Sequence, residues 1–240
     1  MRFLKLADYE SLSRAAAQVI REAARHKPDM LFCAASGDTP TGTYAEMART
    51  PDAFADMRVF KLDEWAGLPP DNPATCEAYL QETLIRPLGI PAERYQGFRG
   101  DAADLAAECA RVDAWLGEHG PIDLCLLGLG RNGHLGLNEP ADALRAPSHV
   151  AELADLSRTH PMLAATGGAV TSGLTLGMGG IQRARQVLLV VSGAHKREPL
   201  GQLVRGGISS QHPGSFLWLH ADALCLCDEA AAAGLGLPDA

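Results

Sequence analysis

Five side chains that could bind a ligand or move a proton fall within nine residues: Arg131, Asn132, His134, Asn138 and Glu139, in the stretch GLGRNGHLGLNEP. An imidazole with a carboxylate close by is basic equipment for acid–base chemistry, because histidine exchanges protons near neutral pH and a carboxylate can orient and charge it. The plainer reading is a helix cap with incidental polar residues. A second group, KLDEWAGL, sets Asp63 and Glu64 at the end of an apolar run. Burial there penalises an ionised carboxylate unless it has a partner or a task. Neighbouring strand residues point to opposite faces, so at most one of the two faces a ligand crevice. The ordinary role for such a carboxylate is to cap a neighbouring helix. Two further groups, AASGDTPTG and VVSGAHKREPL, place Ser36, Gly37, Asp38 and Thr39, and then Ser192, Gly193 and Lys196, where an apolar run gives way to a helix. Helix N-termini attract phosphate through free amides and the helix dipole, and a lysine adds charge. Neither has the Gly-Lys-Ser/Thr of a nucleotide loop; taken singly, each is as well explained by a cap and a solvated lysine.

Elements that would position these groups alternate along the chain. DMLFCAASG, RVFKLDEW, IDLCLLGLG, RQVLLVVSG and ALCLCDE read as strands apolar on both faces. NPATCEAYLQETLIRPL reads as a helix capped by Asn72 with Pro73 in its first turn, and DAADLAAECARVDAWLGEHG as an amphipathic helix ended by Gly120. The first 27 residues carry Ala, Val and Ile at helical spacing. Strands of this kind, interleaved with helices, predict an α/β fold: a doubly wound, mainly parallel sheet with helices on both faces. With no linker, repeat or low-complexity segment, residues 1–240 read as one domain. In such sheets ligands bind beyond the carboxyl ends of the strands, where all four polar groups lie.

The chain is 240 residues long with a formal net charge of −8, which argues against non-specific nucleic-acid binding, since phosphate backbones need a basic face. No run is long enough to span a bilayer, and the charged N-terminus does not read as a signal peptide. The six cysteines (33, 76, 109, 125, 225 and 227) lack a CxxC pair. They read as reduced, buried thiols of a cytoplasmic protein rather than metal ligands.

Together SGDTPTGTY, KLDEWAGL, GLGRNGHLGLNEP and SGAHK, in that order, resemble the glucosamine-6-phosphate deaminase and 6-phosphogluconolactonase superfamily. KLDEW, ATCEAYL, VTSGLTLG and SFLWLH add similarity to its galactosamine-6-phosphate isomerase (deaminase) branch. The resemblance implies an enzyme acting on an amino-sugar 6-phosphate without metal or organic cofactor. It implies that Ser36, Gly37, Asp38 and Thr39 wrap the phosphate with Lys196 as cationic partner, Arg131 counting among the binding residues. It further implies that Asp63 shuttles the proton and that His134 opens the sugar ring with Glu139 in its relay. Two departures stand out. Glucosamine deaminases carry DGH where this chain has Asn132-Gly133-His134, so an amide replaces one relay carboxylate; its oxygen is expected to accept a hydrogen bond from the imidazole. Between Leu153 and Leu176 no clear equivalent of a phosphate-binding arginine appears, and Arg158 is the substitute at hand. Both departures favour galactosamine 6-phosphate over glucosamine 6-phosphate as substrate. Lactone hydrolysis and a non-catalytic sugar-phosphate sensor rank below these, the sensor because the relay is retained. A homo-oligomer remains open.

Overall fold

The computed structural model describes residues 1–238 except 160 and 167, and of residue 165 the backbone only. Among these the strands run, in chain order, β1 (Arg2–Leu6), β2 (Leu31–Ala34), β3 (Arg58–Lys61), β4 (Asp63–Trp65), β5 (Tyr95–Gln96), β6 (Leu124–Gly128), β7 (His149–Glu152), β8 (Ser172–Thr175), β9 (Gln186–Val191) and β10 (Ala223–Asp228). The helices are α1 (Tyr9–His26), α2 (Asp38–Ala48), α3 (Cys76–Leu80), which continues through a π-helical turn at Gln81–Ile85 into α4 (Arg86–Leu88), α5 (Leu105–His119), α6 (Asp155–Arg158), α7 (Met178–Arg183), α8 (Arg197–Val204) and α9 (Glu229–Ala232).

Seven strands form a wholly parallel sheet in the order β1-β10-β9-β6-β2-β3-β5. Each central strand is buried on both faces, as its unbroken apolar run requires. Phe32, Ala34, Leu126 and Val190 pack against Ile20 of α1 and Tyr44 of α2. Their neighbours Leu31, Cys33, Leu127 and Val191 belong to the opposite core, with Val112 of α5 and Leu203 of α8. From β2 the chain winds outward to β3 and β5, then returns past β2 to β6 and winds the other way to β9 and β10. Winding therefore reverses between β2 and β6, and a crevice opens beyond their carboxyl ends.

Three local expectations are corrected. The N-terminal stretch is not helical throughout: Arg2–Leu6 pairs with β10 before α1 begins, and Asp8 caps α1 through a reciprocal bond with Ser11. The stretch from Arg58 to Trp65 is two strands in two sheets. Leu62 donates its N–H to Ala34 of the parallel sheet and accepts from Leu176, after which Asp63–Trp65 pairs antiparallel with β8 in a small sheet ordered β4-β8-β7. This second sheet carries no periodicity of its own in so few residues. Finally, Asn72 does not cap the helix. Its side chain accepts from Ala74 N–H in a turn, and Thr75, three residues on, caps α3 by accepting from Ala78 N–H.

Candidate active site

A cavity of about 760 Å³ lies over the winding reversal and is lined by the turns after β2, β6 and β9, by Asp63, and by residues around α6. One end is built for an anion. Gly37 adopts φ 109°, a left-handed conformation that favours glycine, and α2 starts there without a side-chain cap, leaving its first amides to a ligand. The turn is held from outside: Tyr79 O–H donates to the Gly37 carbonyl at 2.7 Å, and Tyr9 O–H lies 3.0 Å from the carbonyls of Asp38 and Thr39 while accepting from Gly42 N–H. Ser36, Gly37, Asp38 and Thr39 all line the cavity.

Across from this turn, Asp228 at the end of β10 accepts from Ser192 O–H and Gly193 N–H, fixing the loop that presents Lys196. The Lys196 ammonium donates to the Leu129 carbonyl at 2.5 Å and lines the cavity beside Arg131. Burial, helped by the Arg131 charge and opposed by Asp38, pulls the Lys196 ammonium down to about 8. Two cations on one stretch of the cavity wall, Lys196 half-buried and Arg131 exposed, suit a dianion such as phosphate.

Asp63 lies on the cavity wall, 8% exposed. Burial pushes its carboxyl up to about 7 and the charge of Glu64 pushes the same way, while a hydrogen bond from Cys76 and the charge of Lys61 pull back. A carboxyl balanced near neutrality can both take and return a proton. Glu64 points away, as strand alternation requires. It accepts from the Lys61 ammonium at 2.7 Å and from the amides of Trp65, Cys76 and Glu77 at 2.8, 2.9 and 2.8 Å. It thus caps α3, the ordinary role for one of the two carboxylates. Burial opposes the charge on Lys61, but Glu64 and Glu77 outweigh it and hold the ammonium above its usual range.

The loop after β6 brings His134 and Glu139 together, Nδ1 to Oε2 at 3.3 Å. Gly130 makes room: a Cβ there would sit 2.4 Å from the His134 ring. Burial works against the Glu139 charge, but the hydrogen bond and charge of His134, with further hydrogen bonds from Ser157 and Asn132, bring its carboxyl down to about 2. The expected bond from the imidazole to Asn132 does not form. Asn132 Nδ2 instead donates to Glu139 Oε2 at 2.7 Å, and its Oδ1 accepts from the His134 backbone N–H at 3.2 Å. Ser157 Oγ stands 3.4 Å from His134 Nδ1.

Ten of the eleven expected site residues thus gather around one cavity, eight on its wall and two behind His134. Ser36, Gly37, Asp38, Thr39, Asp63, Arg131, His134 and Lys196 line the wall, and Glu139 and Asn132 stand behind His134. Arg158 is not among the lining residues; its guanidinium donates to the Leu153 carbonyl and lies 3.6 Å from Asp155. Sequence reasoning missed Ser157, Tyr9, Tyr79 and Asp228. Asp228 ends a strand as visibly as Asp63 does, and so could have been found; the others act across long sequence separations.

Residues 7–225 match the family described as glucosamine-6-phosphate isomerases/6-phosphogluconolactonase. The chain is 38% identical over 223 residues to AgaI of Escherichia coli (strain K12), which is named as a deaminase, covering 91% of this chain and 88% of that protein. It is 33% identical to glucosamine-6-phosphate deaminase 1 of Bacillus subtilis (strain 168), covering 97% and 98%. A solved monomeric glucosamine-6-phosphate deaminase superposes with a TM-score of 0.92 at 33% identity, covering 97% of this chain and 99% of that one. With the parallel sheet, the crevice and these full-length matches in agreement, the chain belongs to the glucosamine-6-phosphate isomerase/6-phosphogluconolactonase family.

Proposed function

We propose that this protein is an aldose–ketose isomerase that releases ammonia, converting galactosamine 6-phosphate to tagatose 6-phosphate. The observation that carries the reading is a buried carboxyl balanced near pH 7, Asp63, facing the same cavity as a His134–Glu139 pair and a cationic anion end. The phosphate sits between the Ser36–Thr39 turn and Lys196 with Arg131. His134, held by Glu139, passes a proton to the ring oxygen as the pyranose opens. Asp63 takes the C2 proton from the open aldehyde, giving an enolamine, and returns it at C1. The C2 imine that results adds water and expels ammonia, leaving the ketose. Each placed proton transfer contributes on the order of 10²–10⁴-fold. No step calls on a metal or organic cofactor.

The preference for the galactose configuration rests on the KLDEW, ATCEAYL and SFLWLH pattern and on Asn132 in place of an acid. Glucosamine 6-phosphate, the C4 epimer, is the second reading, favoured by the names of the B. subtilis relative and the solved deaminase. The reading places the enzyme in the cytoplasm, where its six free, buried thiols would stay reduced. A homo-oligomer is not part of it, since the solved relative is described as monomeric. Ammonia release measured with both amino-sugar phosphates tests the proposal. A higher kcat/KM for galactosamine 6-phosphate supports it, a higher value for glucosamine 6-phosphate selects the second reading, and no release from either overturns both.

A further inference from the structure

Tyr79 belongs to α3 and does not line the cavity, yet its hydroxyl holds the turn that does. The phenol O–H donates to the Gly37 carbonyl at 2.7 Å. Thr41 Oγ1 closes a triangle, 2.8 Å from the phenol oxygen and 3.2 Å from the same carbonyl. That carbonyl and the Asp38 N–H share one planar trans peptide and point in opposite directions, so fixing one fixes the other. Gly37, at φ 109° and without a Cβ, does little by itself to hold the plane. We propose that Tyr79 is a positioning residue for phosphate recognition: by holding the Gly37 carbonyl away from the cavity it turns the Asp38 N–H towards the anion. The inference deepens the proposed function and rests on it for naming the anion as the sugar's phosphate, but not for its test.

Burial pushes the Tyr79 phenol up to about 12, against the pull of its hydrogen bonds with Thr41 and Thr83, so it keeps its proton and stays a donor across the neutral range. Asp38 is the first residue of α2, which starts without a side-chain cap, so its N–H is among those a helix leaves without a partner in its own ladder. Aimed at a phosphate, that amide gives a charge-assisted hydrogen bond. With the plane rotated, the Gly37 oxygen would meet the anion instead and repel it. The same helix starts on Glu64, which accepts from Cys76 and Glu77 N–H at 2.9 and 2.8 Å and stands next to Asp63 in β4. α3 therefore runs from the neighbour of the base to the phosphate turn, and sets the two ends of the site against each other. Tyr9 provides the contrast. Its hydroxyl lies 3.0 Å from the carbonyls of Asp38 and Thr39, whose peptide partners are the Thr39 N–H and the proton-free nitrogen of Pro40, so it has no hold on the Asp38 N–H.

Amide NMR of the whole isotope-labelled protein, titrated with inorganic phosphate, reads this one peptide plane. In the wild type the Asp38 and Thr39 amide protons should move downfield as phosphate binds. In Tyr79→Phe the Asp38 movement should shrink while the Thr39 movement persists, and phosphate should bind about 10-fold more weakly. Adding Thr41→Val, which removes the second hydroxyl at the carbonyl, should abolish the Asp38 movement. Tyr9→Phe should keep it. In turnover, KM for galactosamine 6-phosphate should rise by a similar factor in Tyr79→Phe with kcat little changed. The proposal is overturned by a full Asp38 movement in both Tyr79 variants, by none in the wild type, by equal losses at Asp38 and Thr39, or by the same Asp38 loss in Tyr9→Phe. Because the titration needs no turnover, a protein inactive on both amino-sugar phosphates would refute the proposed function and leave this test readable.

Discussion

Asp63 sits between two buried charges of opposite sign, so its basicity should move in opposite directions when each is removed. Glu64→Gln deletes the neighbouring negative charge that raises Asp63; Lys61→Met deletes the positive charge that lowers it. Both should destabilise the fold. Lys61 and Glu64 side chains are 4% and 3% exposed, and Glu64 binds three backbone amides besides the ammonium. A glutamine there turns its NH₂ towards donors, leaving at least one buried amide unsatisfied. Breaking a buried pair from one side costs about 3–5 kcal/mol. Because Lys61 retains Glu77 at 2.7 Å, the lower end applies to Glu64→Gln. At this chain length that is a fall in Tm of roughly 6–12 °C. In the proposed mechanism activity requires ionised Asp63 and so falls as pH drops through its pKa. The acid limb of log kcat/KM should therefore move down by about one unit in Glu64→Gln and up by about one unit in Lys61→Met. The assays are pH–rate profiles over the neutral range with thermal melts on the same proteins. Limbs that move together, or stay fixed while both Tm values fall, would refute the electrostatic account and leave the cluster a support for α3 alone.

Asp63→Asn should be more stable than the wild type above pH 7 and should lose that advantage on acidification. The folded carboxyl stands near 7 against 3.8 when unperturbed, so the folded state of the wild type loses stability as pH rises from about 4 to about 7, by up to about 4 kcal/mol. Melts at pH 8 and pH 4 check this, and an Asn variant less stable at pH 8 contradicts the burial penalty. Lys196→Ala should lose most of its preference for phosphorylated over free amino sugar, read as the ratio of the two kcat/KM values; an unchanged ratio would make Lys196 a bystander. Asn132→Ala should lower kcat by about 10-fold to 100-fold with little change in KM, because it orients Glu139 and touches no phosphate group. A rise in KM at constant kcat would move Asn132 into substrate binding.

The central sheet and the strand-end location of the site were legible because buried parallel strands must be continuously apolar, and because polar groups at strand ends cost too much to be incidental four times over. What stayed hidden depends on non-local pairing. Leu62 passes the chain from one sheet to the other through bonds to Ala34 and Leu176, and a single apolar residue inside an apolar run gives no sign of that. Arg158 was chosen for its charge, but α6 sets its guanidinium against the Leu153 carbonyl, away from the cavity. From the residue pattern alone the division of labour between Asp63 and Glu64 was open beyond the rule that they face apart; only the family resemblance singled out Asp63. Only the arrival of α3, with two free amides and its neighbour's amide, assigns the capping role to Glu64.

Asn132 shows how a legible replacement can be used in an unforeseen way. An amide in place of an acid removes a negative charge near the imidazole, and that much follows from composition. Its oxygen was expected on the ring; it accepts instead from the His134 backbone N–H, a bond an aspartate could make equally well. The other end decides the matter. Nδ2 donates to the Glu139 oxygen that also faces His134, and an aspartate cannot donate there while ionised. Two carboxylates at that 2.7 Å separation would repel or share a proton, whereas the amide leaves Glu139 ionised with its carboxyl at about 2. The relay in this chain is thus one full charge held in place by a neutral donor. Among the described residues Glu139 supplies the carboxylate facing His134, and Asn132 fixes where that carboxylate stands.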